Sequence, residues 1–160
     1  MPTFETTRRV PFSAQQMFDV VADVERYPKF LPLCEGLIVR SREQQGGDSV
    51  LTATMTVGYG AIRESFTSHV TLKPAHKQIN VAYLDGPFHH LDNRWRFTDT
   101  AGGSEIHFFI DYAFASRLLG LLMGAMFDRA VKKYTEAFEA RARVIYAVPV
   151  AASGVTPSER

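Results

Sequence analysis

The chain contains 160 residues, of which 46% are hydrophobic and 22% are charged, proportions typical of a globular protein that buries one core. The formal net charge of +1 provides no overall electrostatic attraction to nucleic acid or to an anionic surface, and leaves only local basic patches open. The single cysteine, Cys34, excludes an intramolecular disulfide and is typical of a reducing compartment.

The N-terminal residues predict a strand followed by a helix. Alternating side chains over Thr3–Val10 are typical of a strand with one buried face. Ser13 can accept a hydrogen bond from a free amide of the next helix, and Gln16 can complete a capping box. We therefore expect a helix that begins at Ser13 and runs to about Ala22.

The next segment is rich in proline and is predicted to form a rigid plug at one end of the fold. Asp23–Tyr27 favours a second short helix, and Pro28 is expected to end it. Pro32 restricts the backbone again at the far end of the segment. Cys34 follows with no base near it in sequence, so we interpret it as a small hydrophobic side chain and not as a nucleophile.

From Gly36 to Phe114 the hydrophobic period changes to two, which predicts an antiparallel meander with short turns. Together with the first strand, the sheet is expected to have about seven strands. The predicted strands of the meander are Leu37–Arg42, Ser49–Val57, Ile62–Leu72, Gln78–Leu84, His90–Thr98 and Glu105–Phe114.

The last predicted element is a long helix that Ser116 caps and that runs from Arg117 to about Tyr146. After it the residues are small and polar and show no period. We therefore expect one domain over residues 1–146 and a disordered tail over residues 147–160.

The order of these elements predicts an α+β helix-grip fold. One strand, two short helices, six strands and a long helix place a curved antiparallel sheet around the C-terminal helix, with a cavity between them. One helix cannot fill the concave face of a sheet of this size, so some inward side chains should line a ligand space. For any single apolar residue, a place in the core is the simpler explanation.

Two motifs relate the chain to a known family. The first is Asp85–Phe88, a Gly-Pro turn that is followed by Leu91, Trp95 and Phe97 on one face of a strand. The second is the segment Glu25–Pro32. Together they resemble the coenzyme Q-binding branch of the START-domain (polyketide cyclase-like) superfamily, over nearly the whole chain. The same branch contains the bacterial ribosome-association toxins of the RatA type.

The resemblance implies a binding protein and not an enzyme, without a cofactor or a metal. Its ligand would be ubiquinone or another polyprenyl lipid, which it would carry in support of respiration. Aromatic rings and methionine suit a quinone ring and an isoprenoid tail. The expected ligand contacts are Phe30, Leu31, Met55, Phe66, Phe88, Leu91, Trp95, Phe97, Leu119, Met123 and Phe127.

The segment Leu118–Phe127 has two interpretations. It is apolar nearly all round, which favours a helix end that is buried on both sides. Gly120 and Gly124 weaken the helix by roughly 1 kcal/mol each. The alternative is therefore a cavity mouth that admits a lipid tail or makes transient contact with a membrane. The segment is too short to span a bilayer.

Two further functions stay open at this stage. A RatA-like toxin would bind the large ribosomal subunit and block subunit association, through basic residues on the outer face of the sheet. A cyclase or dehydratase would need an acid/base pair in the cavity. Glu64, His107, Asp111 and Tyr112 could supply such a pair, although ion pairs of the two carboxylates with Arg63, Arg94 or Arg96 are the simpler explanation.

The sequence contains no metal-ligand spacing, nucleophile elbow or phosphate-binding glycine loop, so we expect no catalytic or metal-binding residues. The N-terminus lacks an apolar signal segment and an arginine- and serine-rich presequence. We therefore expect a bacterial cytoplasmic protein, at most peripheral to the inner membrane, or a mature form that has already lost its leader.

Overall fold

A computed structural model describes residues 3–146 of the chain. They form one antiparallel sheet in the strand order β1-β7-β6-β5-β4-β3-β2, with helices against its concave face. The strands are β1 (Thr3–Val10), β2 (Cys34–Gln45), β3 (Asp48–Tyr59), β4 (Ile62–Lys73), β5 (Gln78–Asp85), β6 (Phe88–Thr100) and β7 (Gly103–Phe114). The helices are α1 (Ala14–Ala22), a 3₁₀ helix (Val24–Lys29), α2 (Arg117–Val131) and α3 (Tyr134–Tyr146).

The topology is a meander that the first strand completes. Successive strands from β2 to β7 pair as hairpins, and β1 pairs with β7 from Thr3 opposite Asp111 to Val10 opposite Ser104. This element order and this sheet confirm the predicted α+β helix-grip fold. The predicted tail over residues 147–160 lies outside the described residues.

Strand β1 has its predicted bounds, whereas the strands of the meander extend one to several residues beyond theirs, and β2 shows the largest difference. It was expected over Leu37–Arg42, whereas pairing with β3 continues to Gln45. The strand also begins earlier, at Cys34. The residues added at its C-terminal end are polar and exposed, and therefore have no hydrophobic period by which a sequence could reveal them.

Helix α1 begins as predicted. The Ser13 hydroxyl accepts a hydrogen bond from the amide of Gln16 at 3.0 Å, and the Gln16 side chain accepts one from the amide of Ser13 at 2.9 Å. The following 3₁₀ helix differs from the prediction because it continues through Pro28 to Lys29. A short helix can include a proline near its end, since the lost amide removes only one hydrogen bond.

The long C-terminal helix was expected to be continuous, and this prediction is wrong at one turn. The amide of Lys133 donates to the carbonyl of Ala130 at 3.0 Å, a three-residue spacing that separates α2 from α3. No glycine or proline marks the turn. Val131 and Tyr134 on either side are both buried, so the turn keeps both helices against the curved sheet.

A buried ion pair fixes α3 to the edge of the sheet. Glu139 is 4% exposed, and its carboxylate accepts from Arg8 of β1 at 2.6 Å and from Arg143 at 2.5 Å. Two independent partners therefore satisfy this buried charge.

Within residues 3–146, no helix is long and apolar enough to cross a membrane.

Candidate ligand-binding cavity

A cavity of about 90 Å³ lies between the concave face of the sheet and the helices. It is smaller than the roughly 300–1,000 Å³ of pockets that hold drug-sized ligands. Its lining is apolar and aromatic, with few polar groups. The lining residues are Val24, Tyr27, Leu31, Leu37, Ala53, Met55, Phe66, Ser68, Val70, Ile79, Val81, Leu91, Asn93, Trp95, Ile110, Phe127, Tyr134 and Phe138.

Trp95 forms an ordered wall of the cavity. Its ring centroid lies 4.5 Å from that of Phe108 and 5.1 Å from that of Phe138. Its indole N–H donates to the Asn93 side-chain oxygen at 3.0 Å, and the Asn93 amide donates to the carbonyl of Phe109 at 2.9 Å. Packing and hydrogen bonds thus fix the indole ring in one orientation.

The proline-rich segment contributes side chains to the cavity lining. Tyr27 and Leu31 line the cavity, and the Tyr27 hydroxyl donates to the carbonyl of Val21. Phe30 was expected to contact the ligand, but it does not line the cavity. Its ring packs against two residues of the lining, with its centroid 5.3 Å from that of Phe138 and 6.1 Å from that of Tyr27.

The Asp85–Phe88 motif forms a structural corner and does not line the cavity. Gly86 has a φ of +144°, and a Cβ atom there would lie 2.5 Å from the Cβ of Phe66. Only glycine fits this close approach. A bulge between Phe88 and His90 turns Phe88 inward, where its ring lies 4.8 Å from that of Phe114. Phe88 therefore packs beside the cavity, contrary to the prediction.

Helix α2 presents one face to the core and the other to solvent. Met123 and Phe127 are buried, whereas Leu118, Leu121 and Leu122 are 65%, 78% and 52% exposed. The expectation that this helix end is buried on both sides is therefore wrong. The sequence could not decide this point, because leucine occupies both faces.

The predicted contact residues fall into two groups. Those that line the cavity are Leu31, Met55, Phe66, Leu91, Trp95 and Phe127. Those that do not are Phe30, Phe88, Phe97, Leu119 and Met123. The second group packs one layer away; the ring of Phe97, for example, lies 6.2 Å from that of Phe18 on α1.

The polar groups of the lining were not predicted from the sequence. Ser68 and Asn93 occupy inward positions of β4 and β6, in phase with Phe66 and Trp95, so the strand alternation could have revealed them. Tyr134 and Phe138 were placed on the apolar face of the last helix but were not assigned to the site.

The cavity lining carries no charged side chain. The hydroxyls of Ser68 and Tyr134 have no hydrogen-bond partner among the described residues. Burial raises the pKa of Tyr27 and of Tyr134, so both phenols are protonated at neutral pH. Burial also raises the pKa of the nearby Cys34 thiol, to about 11, and it is therefore no nucleophile at neutral pH.

The residues considered for acid/base chemistry do not line the cavity. His107 and Asp111 face the outer side of the sheet, where His107 contacts Glu5 at 2.5 Å and Asp111 accepts from the Thr3 hydroxyl at 2.8 Å. The Thr3 hydrogen bond is the main cause that lowers the pKa of Asp111. The hydroxyl of Tyr112 donates to Asp128 at 3.5 Å.

Of the three arginines considered as partners of Glu64 and Asp111, two pair with other carboxylates. Arg63 contacts Glu35 at 2.5 Å, and Arg94 contacts Asp92 at 2.6 Å. Among the described residues there is no group of three or more side chains that could hold a metal ion.

The outer face of the sheet carries a separate polar groove of about 670 Å³. Gln78 and Asn80 of β5, Arg96 of β6 and Phe109 of β7 line it. The Arg94 guanidinium lies 5.5 Å from the centre of the Phe109 ring. This combination of cations and a half-buried aromatic ring suits phosphate and base contacts.

Comparison with known proteins identifies the family. Residues 10–139 match the family described as polyketide cyclase/dehydrase and lipid transport. The chain belongs to this family. The match includes the plug segment, the whole meander and most of the C-terminal helices, which confirms the resemblance found from the two motifs.

The names of two relatives of this chain state two different functions. The chain is 34% identical over 147 residues to the ribosome association toxin RatA of Escherichia coli K12, across 91% of this chain and 90% of the toxin. It is 33% identical over 158 residues to the mitochondrial coenzyme Q-binding protein COQ10 homolog B of Xenopus laevis, across 94% of this chain and 63% of that protein.

A solved structure supports the same membership. The solution structure of an 18 kDa protein from Caulobacter crescentus matches with a TM-score of 0.75 and 34% identity, across 92% of this chain and all of that protein. Sequence and fold therefore agree on the family over the described domain.

Proposed function

We propose that this protein is a carrier that binds ubiquinone or a related polyprenyl lipid in the cavity between the sheet and the helices. The observation that carries the proposal is the lining, which is aromatic and apolar and has no charged side chain. Such a lining binds by shape and apolar contact. The relative named as a coenzyme Q-binding protein supports the choice of ligand.

Binding requires the cavity to enlarge. Its volume of about 90 Å³ is well below the roughly 300–1,000 Å³ of pockets that hold drug-sized ligands, such as a substituted quinone. Helix α2 is the element that can move, since it contains two glycines and has exposed leucines on its outer face. An isoprene unit of roughly 100 Å² would then contribute about 2.5 kcal/mol on burial.

Extraction of the purified protein with organic solvent, followed by mass spectrometry, tests the ligand directly. A quinone recovered from the wild type and lost from the double variant Trp95→Ala, Phe66→Ala would support the carrier. Ile106→Ala is the matched control, because Ile106 is fully buried but does not line the cavity. Equal recovery from all three proteins would contradict binding in this cavity.

The exposed face of α2 is proposed to contact a membrane surface when the ligand is exchanged. Leu118, Leu121 and Leu122 form an apolar face on the helix that also carries the lining residue Phe127. A triple substitution to serine should abolish flotation with phosphatidylcholine–phosphatidylglycerol vesicles. Val144→Ser, an equally exposed site on α3, is the control and should float like the wild type.

A second candidate function is binding to the large ribosomal subunit, through the outer groove. The observation that favours it is Arg94 and Arg96 beside Phe109, together with relatives named as ribosome association toxins. Co-sedimentation with large subunits should weaken with salt and should be lost in Arg94→Glu, Arg96→Glu. Arg26→Glu, on the 3₁₀ helix, is the control. Loss of sedimentation in the cavity variants alone would contradict this second function.

A further inference from the structure

We propose that the hydroxyls of Ser68 and Tyr134 hold the polar head of the ligand by donating hydrogen bonds to it. The head would then be a neutral group with acceptor oxygens, such as the carbonyls of a quinone. This inference deepens the proposed function and rests on it.

Ser68 is the first of the two groups. It lies on the concave face of β4 between Phe66 and Val70, it lines the cavity, and it is 4% exposed. Its hydroxyl has no partner among the described residues. A buried hydroxyl without a partner costs about 1–3 kcal/mol, a cost that alanine at this position would avoid. A ligand acceptor in the cavity would supply the missing partner.

Tyr134 is the second group, at the start of α3. It is 8% exposed and lines the same cavity, and its hydroxyl also lacks a partner within residues 3–146. Burial raises its pKa, which keeps the phenol available as a donor at neutral pH. Tyr27 lines the cavity too, but its hydroxyl already donates a hydrogen bond to the carbonyl of Val21. Of these two tyrosines, only Tyr134 therefore has a hydroxyl that is free to donate to a ligand.

The rest of the lining restricts the charge of the head. It contains no side chain that is ionised at neutral pH, and the Asn93 amide is engaged by Trp95 and Phe109. A carboxylate or phosphate would lose its hydration without gaining an opposite charge, which is strongly unfavourable. A neutral carbonyl or ether oxygen could instead accept hydrogen bonds from the two hydroxyls. We therefore expect fatty acids and prenyl phosphates to bind more weakly than a quinone.

Three probes of similar tail length test this inference: decylubiquinone, decylbenzene and decanoate. Binding is followed through the fluorescence of Trp95, which is the single tryptophan of the chain and lines the cavity. Ser68→Ala and Tyr134→Phe are each expected to weaken decylubiquinone binding by roughly three- to tenfold, the value of one hydrogen bond. Decylbenzene binding should not change, and decanoate should bind at least tenfold more weakly than decylubiquinone.

Ser104→Ala is the matched control. Its hydroxyl is also fully buried and has no described partner, but it does not line the cavity. It should leave decylubiquinone affinity unchanged. Thermal unfolding supplies an independent readout, since all three ligand-free variants should be at least as stable as the wild type.

Each other outcome has a distinct meaning. Wild-type affinity for decylubiquinone in both Ser68→Ala and Tyr134→Phe would overturn the inference and leave the carrier function standing. Decanoate binding as tight as that of decylubiquinone would overturn the neutral head. Lower stability of both ligand-free variants would show that the hydroxyls serve the fold. If the wild type binds none of the probes, the carrier function fails and the inference fails with it.

Discussion

At the scale of single residues, Asn93 is the clearest polar determinant of the cavity. It accepts from the Trp95 indole and donates to the carbonyl of Phe109, and thereby satisfies one donor and one acceptor that are partly shielded from water. We expect Asn93→Ala to lower the free energy of unfolding by about 1–3 kcal/mol, because both groups lose their protein partner. Urea denaturation followed by Trp95 fluorescence measures the change.

The control for this prediction is Asn80→Ala on the outer side of β5, which should change stability by less than about 0.5 kcal/mol. An Asn93→Ala protein as stable as the wild type would mean that water replaces both hydrogen bonds.

We expect the buried thiol of Cys34 to make the free energy of unfolding depend on pH in the alkaline range. Burial is the main cause that raises its pKa from 9.0 to about 11 in the folded protein. As pH rises, the thiol of the unfolded protein loses its proton first, which favours the unfolded state. The free energy of unfolding is therefore unaffected by this thiol below pH 9.0 and decreases as pH rises towards about 11. Urea denaturation should show this loss, and it should be smaller in Cys34→Ala. An equal loss in both proteins would assign it to the buried tyrosines.

At this scale the sequence distinguished core from surface but not cavity from core. Leu31, Leu91 and Trp95 line the cavity, whereas Phe30 and Phe97, of similar character, pack behind it. The alternation of apolar and polar residues indicates which face of a strand a side chain occupies. It does not indicate which inward side chains pack against a helix and which line a cavity.

At the scale of elements, the contact of Glu139 with Arg8 joins α3 to β1. Glu139→Gln keeps the size of the side chain and removes its charge, and both arginines then lose a charged acceptor. We expect a loss of about 1.5–3 kcal/mol in the free energy of unfolding. Thermal and urea unfolding measure it. Glu136→Gln, which is exposed on the same helix, should be neutral; an equal loss there would contradict a specific role of the buried pair.

The two glycines of α2 should affect both the stability of the protein and its rate of ligand exchange. An alanine Cβ at Gly120 would meet Phe114 at an ordinary 3.8 Å, and at Gly124 it would meet nothing within 4 Å. Each substitution by alanine should raise the free energy of unfolding by about 0.5–1 kcal/mol. Because a stiffer α2 opens less often, release of decylubiquinone to empty vesicles should slow, as followed by Trp95 fluorescence.

The control is Gly102→Ala in the turn before β7, where a Cβ is also free of contacts. It should leave the release rate unchanged. Variants of α2 that are more stable but release decylubiquinone at the wild-type rate would show that the ligand leaves by another route.

The elements themselves were largely predictable, because each has a local signal. The capping box of α1 and the two-residue period of the strands depend only on neighbouring residues. The turn between α2 and α3 has no such signal, since Lys132 and Lys133 are ordinary helix residues. The curvature of the sheet, which is a tertiary property, decides where that turn falls.

At the scale of the whole molecule, we expect the strands of the sheet to differ in how well their backbone amides are protected from hydrogen exchange. Strand β7 pairs on both sides and buries every second side chain, whereas the end of β2 lies at the edge of the sheet and is exposed. We expect the amides of β7 to exchange with deuterium at least on the order of a hundredfold more slowly than those of residues 41–45. Mass spectrometry of peptic peptides measures both. Similar rates would indicate that the sheet opens as one unit.

The sequence by itself determined the order of the elements, the inward face of each strand and the family, because these depend on periodicity and on local motifs. The tertiary structure alone decided which apolar residues line the cavity, which face of α2 is exposed and which buried hydroxyls lack a partner. These properties depend on the distance between elements that are far apart in sequence. Ser68 and Tyr134 come together on β4 and α3 only when the sheet curves around the helices.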